Sequence, residues 1–173
     1  MSAPHTHFKK CPACGEPLEA IVGKSMTCDA CGFTYFFNPT IGLAGFIENE
    51  KAEILLIERA RDPAIGKLAP PGGFADVDEN AETALSREVF EETGLQIDNW
   101  QYLSSAVNHY SYKNVTYPVL DFFFTARIRE EQELIPCSEE TRGVSWVPIQ
   151  SINPESLAFP SMQEAFRRFL DQP

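Results

Sequence analysis

The sequence predicts an α/β protein, in which a sandwich of helices surrounds a mixed β-sheet and a small cysteine-rich unit precedes it. Two CxxC pairs stand close together near the start of the chain. After them, apolar runs with strand character and helical patterns follow one another in mixed order. The 173 residues suit one ordinary domain with a small appendage, and the 43% hydrophobic content can fill a core.

Residues 8–37 form the cysteine-rich unit. The knuckles Cys11–Gly15 and Cys28–Gly32 have nearly the same sequence, CPACG and CDACG. So short a segment cannot build an independent core, and a metal is expected to hold it together. Four thiolates in two knuckles match a closed tetrahedral site, for which Zn²⁺ is the usual metal. We therefore predict a zinc ribbon at 8–37 with a structural role, and its expected ligands are Cys11, Cys14, Cys28 and Cys31.

The fifth cysteine, Cys137, is predicted to be a free or buried thiol. The N-terminus shows no apolar core of a secretory signal, and no apolar run approaches the length of a membrane span. Paired CxxC knuckles without such a signal favour metal binding over disulfides. The expected location is the cytoplasm, with no membrane partner.

A second unit is predicted at 40–173. Two strands should lie on either side of a turn at Asn49–Lys51, followed by a loop rich in proline and glycine. A helix should then run from about Asn80 to Thr93 and end at Gly94.

Further strands are predicted on either side of Lys113-Asn114 and in GVSWVPI. A final helix should run from about Ser161 to Leu170 and turn Phe166, Phe169 and Leu170 inward.

The net charge of −11 argues against a general nucleic-acid-binding surface, which needs clustered lysine and arginine. The same charge would repel a phosphate-bearing small molecule unless a bound cation reversed the local field.

Three glutamates in SREVFEETGL raise the question of such a cation. Glu88, Glu91 and Glu92 stand at i, i+3 and i+4, so on a helix they share an arc of about 100°. Carboxylates this close repel one another on a merely solvated face. A hard divalent cation such as Mg²⁺ removes the conflict, because it binds oxygen ligands and bridges to phosphate.

The segment GFADVDENAETALSREVFEETGL fits the pattern G-x₅-E-x₇-R-E-U-x-E-E-x-G-U, in which U is aliphatic. This is the Nudix box, and the chain resembles a Nudix hydrolase from about Thr40 to the C-terminus. The fixed positions are filled by Gly73, Glu79, Arg87, Glu88, Glu91, Glu92 and Gly94, and the aliphatic ones by Val89 and Leu95.

The resemblance implies a role for each site residue. Glu92 is the expected principal ligand of Mg²⁺ or Mn²⁺, Glu91 a further ligand, and Glu88 either a ligand or the catalytic base. The Gly72 carbonyl is either an additional ligand or part of a plain turn. Arg87 is expected to pair with Glu79 and brace the loop.

A later acidic loop holds another candidate. Many relatives recruit an acid from this region, and Glu140 stands at the matching place, with Glu139 as its neighbour. The alternative is that SEET is an ordinary solvated loop.

The activity implied is metal-dependent hydrolysis of the pyrophosphate in a nucleoside diphosphate linked to another group. A Cys₄ ribbon before such a domain is similar to the NADH pyrophosphatase group and to some ADP-ribose pyrophosphatases. The SQPWPFP-like motif of the NADH enzymes is missing here, which argues against NADH itself. ADP-ribose or a related dinucleotide such as NADH is the expected substrate class. Tyr110 and Tyr112 loosely resemble the tyrosine of diadenosine polyphosphate hydrolases, and Tyr112 or Phe46 could stack a base.

Two other functions stay open. The chain could be a non-catalytic nucleotide sensor that uses the ribbon as a protein or nucleic-acid contact, although such a binder has no need of three crowded carboxylates. Removal of a nucleotide cap from RNA would need a basic track, for which the ribbon offers only Lys9, Lys10 and Lys24. The resemblance also makes a homodimer plausible.

Overall fold

A computed structural model of the chain describes residues 2–19, 21, 23–130, 132–136 and 141–172. The cysteine-rich unit forms a two-stranded antiparallel sheet from β1 (Ser25–Thr27) and β2 (Thr34–Phe36), after a 3₁₀ turn at Pro4–His7. Ahead of the unit, Ser2 pairs with a later part of the chain: its N–H donates to Asn114 O at 3.2 Å, and its carbonyl oxygen accepts from Thr116 N–H at 2.9 Å.

The larger sheet is mixed and has six strands. They are β3 (Thr40–Glu48), β4 (Glu53–Arg59), β5 (Leu68–Ala69), β6 (Gln101–Tyr112), β7 (Val115–Arg127) and β8 (Thr141–Pro148). Their order is β5-β4-β3-β7-β6, with β8 also paired to β4. β3 and β7 run parallel, and the other pairs are antiparallel. Helix α1 (Ala81–Thr93) and helix α2 (Pro160–Leu170) complete it, with 3₁₀ turns at Ile149–Ser151 and Pro154–Ser156. This mixed sheet with helices confirms the predicted α/β class.

Each helix packs over its own apolar cluster, because successive residues of a strand point to opposite sides of the sheet. The cluster under α1 includes Leu43, Ile47, Leu55, Leu85 and Val89. The cluster under α2 includes Ala44, Phe46, Ile54, Leu56, Phe123 and Phe166. Among the described residues, no helix is long and apolar enough to cross a membrane.

Two expectations about single side chains, Phe46 and Leu170, are wrong. Phe46 has no exposed surface and packs against Phe123, Phe166 and Phe169, so it is part of the core and cannot stack a bound base. Leu170, the last residue of α2, is 48% exposed rather than turned inward, because the helix ends there.

Strands β3 and β4 separate almost at once. Glu48 and Ile54 are their one registered pair, and a later segment of chain, Pro71–Ala75, takes the vacated place beside β3. We call it the glycine segment. Its bonds with β3 are Leu43 N–H to Gly73 O (2.8 Å), Gly45 N–H to Pro71 O (3.0 Å) and Ala75 N–H to Ile41 O (3.1 Å). The segment is therefore fixed to the sheet by its backbone.

Candidate functional site

The four paired cysteines come together in the ribbon. The sulfur atoms of Cys11, Cys14, Cys28 and Cys31 all lie within 4.8 Å of one another. Two of the sulfur–sulfur distances, Cys11–Cys31 and Cys14–Cys28, are 3.7 Å. A tetrahedron with Zn–S bonds of about 2.3 Å has edges of about 3.8 Å, so the cluster has the size that a structural zinc ion needs.

The two knuckles have the same backbone geometry. Gly15 N–H donates to Cys11 O at 2.9 Å, and Gly32 N–H donates to Cys28 O at 2.8 Å. Burial opposes ionisation of the Cys11 thiol, but N–H groups of the knuckle outweigh it and lower its pKa to about 7. The hydrogen bond from Glu16 N–H lowers the pKa of Cys14, but contacts with the other three sulfurs and burial outweigh it and raise that pKa to about 12. The spacing of the four sulfur atoms is therefore what indicates a metal. This cluster can hold a metal.

The acidic helix has well-defined ends. Asn80 Oδ1 accepts from Thr83 N–H at 2.8 Å, which caps the first turn of α1. Gly94 ends the helix in the left-handed conformation, with φ of 78°. These limits place Glu88 and Glu92 one turn apart, on the side of the helix that meets the glycine segment.

Contact between helix and segment is very close. Gly72 N–H donates to Glu92 Oε2 at 2.8 Å, and Glu92 is only 6% exposed. Gly73 lies so near the Glu88 carboxylate that a Cβ at this position would overlap it. At Gly72, φ is 143°, and a Cβ there would overlap the carbonyl oxygen of Leu43. Gly72 therefore has no room for a side chain, and a side chain at Gly73 would displace the Glu88 carboxylate.

Arg87 links the loop to the helix. Its Nε and one terminal nitrogen donate to the two carboxylate oxygens of Glu79, each at 2.8 Å. The other terminal nitrogen donates to Glu88 Oε1 at 2.9 Å and lies 3.4 Å from Glu91 Oε2. Hydrogen bonds from Arg87 lower the pKa of Glu79 to about 2. The bonds that Arg87 donates to Glu79, with a smaller contribution from its bond to Glu88, raise the pKa of Arg87 above its usual value.

The three box glutamates have different surroundings. Glu88 and Glu92 line a cavity of about 670 Å³. The side chain of Glu91 is 51% exposed and turns toward Arg87, and within the described chain it is not part of the cavity wall. Glu140 and its neighbour Glu139 lie outside the described residues, as does Cys137.

Another part of the cavity wall combines aromatic, basic and polar groups. Phe74 and Phe159 each contact the ring of Tyr110, with centroid distances of 5.5 and 6.0 Å. The Arg59 guanidinium lies 5.2 Å from the centroid of Phe159, and Arg61 also lines the cavity.

Asp121 forms the polar part of this wall and is 9% exposed. Its Oδ2 accepts from Ser161 Oγ–H at 2.6 Å. Burial raises the pKa of the Asp121 carboxyl, although hydrogen bonds from Ser161 and Asn108 oppose the shift. Our sequence prediction missed Asp121, Asn108, Ser161 and Arg59. The available signal was a single acidic residue inside the apolar strand VLDFFFT.

The sequence profile of the NUDIX domain matches residues 38–169 of this chain. The NAD-capped RNA hydrolase NudC of Stutzerimonas stutzeri (strain A1501) is 26% identical over 162 residues, which are 93% of this chain and 54% of that protein. The ADP-ribose pyrophosphatase of Methanocaldococcus jannaschii is 41% identical over 63 residues, or 36% of this chain and 37% of that protein. The chain thus spans about half the length, or less, of these curated relatives.

The crystal structure of a NUDIX hydrolase from Nitrosomonas europaea has the same fold. It is 21% identical with a TM-score of 0.70, and the match covers 95% of this chain and 91% of that one.

Proposed function

This chain belongs to the NUDIX family, and on that premise we propose that it hydrolyses the pyrophosphate linkage of a nucleoside diphosphate joined to another group. ADP-ribose or a related dinucleotide such as NADH is the proposed substrate. The observation that carries the proposal is the meeting of Glu88, Glu92 and the glycine segment at the wall of one large cavity.

These residues suit a divalent cation. Two carboxylates one helical turn apart offer hard oxygen ligands, and the main chain of Gly72 lies against one of them. We assign Glu88, Glu92 and the Gly72 carbonyl as the groups that would hold Mg²⁺ or Mn²⁺. Glu91 would join them as a further ligand only after its side chain turns away from Arg87. Such an ion would offset phosphate charge and lower the pKa of a bound water.

The chain's own residues supply position and proton transfer. A water molecule attacks one phosphorus, the bridging P–O bond on that phosphorus breaks, and two phosphate-bearing products leave. Glu88 or Glu140 accepts the proton of the water. Arg87 and Glu79 keep the Glu88 carboxylate in place, and Arg59 and Arg61 give this acidic chain positive charge at the cavity wall.

The names of the relatives support this substrate class. One is named for ADP-ribose and the other for NAD-capped RNA. ADP-ribose and NAD both contain a pyrophosphate between two nucleosides or sugars. Because the ribbon's few lysines do not form a basic track, we favour the small dinucleotide over RNA.

We further propose that residues 8–37 are a structural zinc ribbon and residues 40–173 the hydrolase domain. Four sulfur atoms at the spacing of a tetrahedral site support zinc. Because a Cys₄ site has no open coordination position, its proposed role is scaffolding.

A substrate panel tests the proposal. ADP-ribose, NADH, NAD⁺, diadenosine polyphosphates and nucleotide sugars are incubated with the full chain and Mg²⁺ or Mn²⁺, and products are separated by chromatography. We expect AMP from ADP-ribose, and a loss of kcat of about 100-fold or more in Glu92→Gln. Glu82→Gln is the matched control, because Glu82 is an exposed glutamate of the same helix. Intact substrates throughout the panel, or full activity in Glu92→Gln, would contradict the proposal.

A further inference from the structure

The buried carboxyl of Asp121 has no part in the proposed hydrolysis, yet it lines the same cavity. It stands on the face of β7 that meets α2, beside β3 and β6. Gly42 is its registered neighbour on β3, and a Cβ on Gly42 would overlap Asp121 Oδ1. The Asp121 carboxyl group therefore occupies the space that a side chain at Gly42 would fill.

Two protein donors fix the orientation of the carboxyl group. Ser161, in the first turn of α2, donates to Oδ2 at 2.6 Å, and Asn108 on β6 is its second hydrogen-bond partner. Three donors can readily share the lone pairs of one carboxylate, so acceptor capacity is left for a molecule in the cavity.

Asn108 presents the complementary group. Its Oδ1 accepts from His109 N–H at 2.8 Å, which leaves its NH₂ group as the donor toward Asp121 and the cavity. Asn108 is 8% exposed and lines the cavity as well. The wall thus offers an acceptor from Asp121 next to a donor from Asn108.

Aromatic rings lie close to this pair. Tyr110 follows Asn108 by two residues on the same face of β6, and Phe159 precedes Ser161 by two residues. A flat ligand that contacts these rings can reach Asp121 and Asn108 with its edge. Adenine has the matching edge, since its exocyclic amine donates and the adjacent ring nitrogen accepts. Hypoxanthine presents the opposite arrangement, with a carbonyl oxygen beside a ring N–H.

We infer that Asp121 and Asn108 form the base-recognition site of this chain and select an adenine over a 6-oxopurine. Asp121 accepts from the exocyclic amine, Asn108 donates to the ring nitrogen, and Ser161 acts as a positioning residue through Asp121. The inference rests on the proposed function, because that function places a nucleotide in this cavity. It adds a specificity-determining pair to the metal-binding glutamates.

Binding of AMP and IMP, which differ at this edge, tests the inference without any turnover. Dissociation constants are measured by calorimetry on the full chain with Mg²⁺. We expect AMP to bind at least about ten-fold more tightly than IMP. With IMP, the hydrogen bond to the Asp121 carboxylate is lost, and the carbonyl oxygen of the base faces that carboxylate instead. Asp121→Asn, nearly equal in shape, should remove or reverse that preference. Asp171→Asn makes the same substitution at an exposed aspartate and should keep the preference for AMP.

Ser161→Ala provides a second variant that retains the Asp121 charge, and its AMP preference should fall by a few-fold. Circular dichroism and thermal melting check that each variant is folded. Equal binding of AMP and IMP by the unmodified chain, no binding of either, or an unchanged preference in folded Asp121→Asn would overturn the inference.

The same measurements separate the two proposals. Selective binding of AMP by a chain that hydrolyses no member of the substrate panel would overturn the proposed hydrolysis alone. Hydrolysis of ADP-ribose with equal rates for its inosine counterpart, in a chain that binds AMP and IMP equally, would overturn the recognition site alone.

Discussion

Arg87 donates to both carboxylate oxygens of Glu79, across eight residues of sequence and at 2.8 Å to each oxygen. The same guanidinium reaches Glu88, so one side chain joins the loop before α1 to a proposed metal ligand on it. This bond pattern needs a planar fork with several donors, which lysine does not have.

Arg87→Lys should therefore fold but lose most of its activity. A single ammonium cannot hold Glu79 by two bonds and reach Glu88 as well, so the Glu88 carboxylate loses its fixed position. We expect kcat for ADP-ribose hydrolysis to fall about 10- to 100-fold, as for other groups that orient a metal ligand. Arg127→Lys, at an exposed ion pair with Glu48, should leave kcat unchanged. Equal kcat in both variants would show that the fork has no positioning role.

Acid should weaken the Arg87–Glu79 pair in a defined window. The pKa of Glu79 falls from its usual 4.5 to about 2 in the folded chain. A carboxyl group whose pKa is lower in the folded than in the unfolded chain stabilises the folded state at pH values above the unfolded pKa. This contribution disappears as pH falls from about 4.5 to about 2. The difference in free energy of unfolding between the unmodified chain and Glu79→Gln should therefore be largest above pH 5 and shrink below it. Urea titrations at several pH values measure the difference, and a pH-independent difference would contradict the assignment.

Gly72→Ala should be damaging in two ways. The alanine Cβ would meet the carbonyl oxygen of Leu43, and φ of 143° is a conformation that alanine rarely adopts. Strain of this type costs about 1–3 kcal/mol, and relieving it would move the segment away from β3 and disturb its contact with Glu92. We expect a lower free energy of unfolding and a reduced kcat. Gly143→Ala is the matched control, since a Cβ there meets no atom within 4 Å.

Metal content tests the ribbon. One zinc per chain is expected by atomic emission, and Cys28→Ser should lose it because a closed site needs all four thiolates. Cys137→Ser should keep the zinc, because Cys137 lies outside the two knuckles that supply the predicted ligands. The rings of Phe8, Tyr35 and Phe37 contact one another in the ribbon. Loss of the metal in Cys28→Ser should therefore change the near-ultraviolet circular dichroism signal of these aromatic side chains. Zinc retained by Cys28→Ser would contradict the four-cysteine assignment.

Local signals in the sequence predicted much of the fold. Asn80 as a cap and Gly94 as a stop predict the limits of α1 to within a residue. Lys113 and Asn114 both have positive φ, which is the geometry of the tight turn expected between β6 and β7. Apolar runs likewise predict β3 and β4, because their residues are buried nearly without interruption.

Features that depend on tertiary placement escaped prediction. Phe46 is aromatic in a strand, and only the packing of α2 shows that it is enclosed by other rings. Asp121 and Ser161 are forty residues apart, and nothing local joins them. The difference between Glu91 and Glu92 is another case, since helical spacing puts both on one arc while the glycine segment covers only one of them.

Hydrogen exchange at two amides of β3 depends on the glycine segment. Leu43 and Gly45 donate their amide hydrogens to this segment and not to β4, so their exchange with solvent deuterium requires the segment to detach. Amide protection at these two positions can therefore follow the opening of the site in solution, with no substrate present. Amides that bond to β8 or lie within α1 would exchange only when a larger part of the fold opens. The ratio of the two exchange rates measures how far the site opens independently of the rest of the fold.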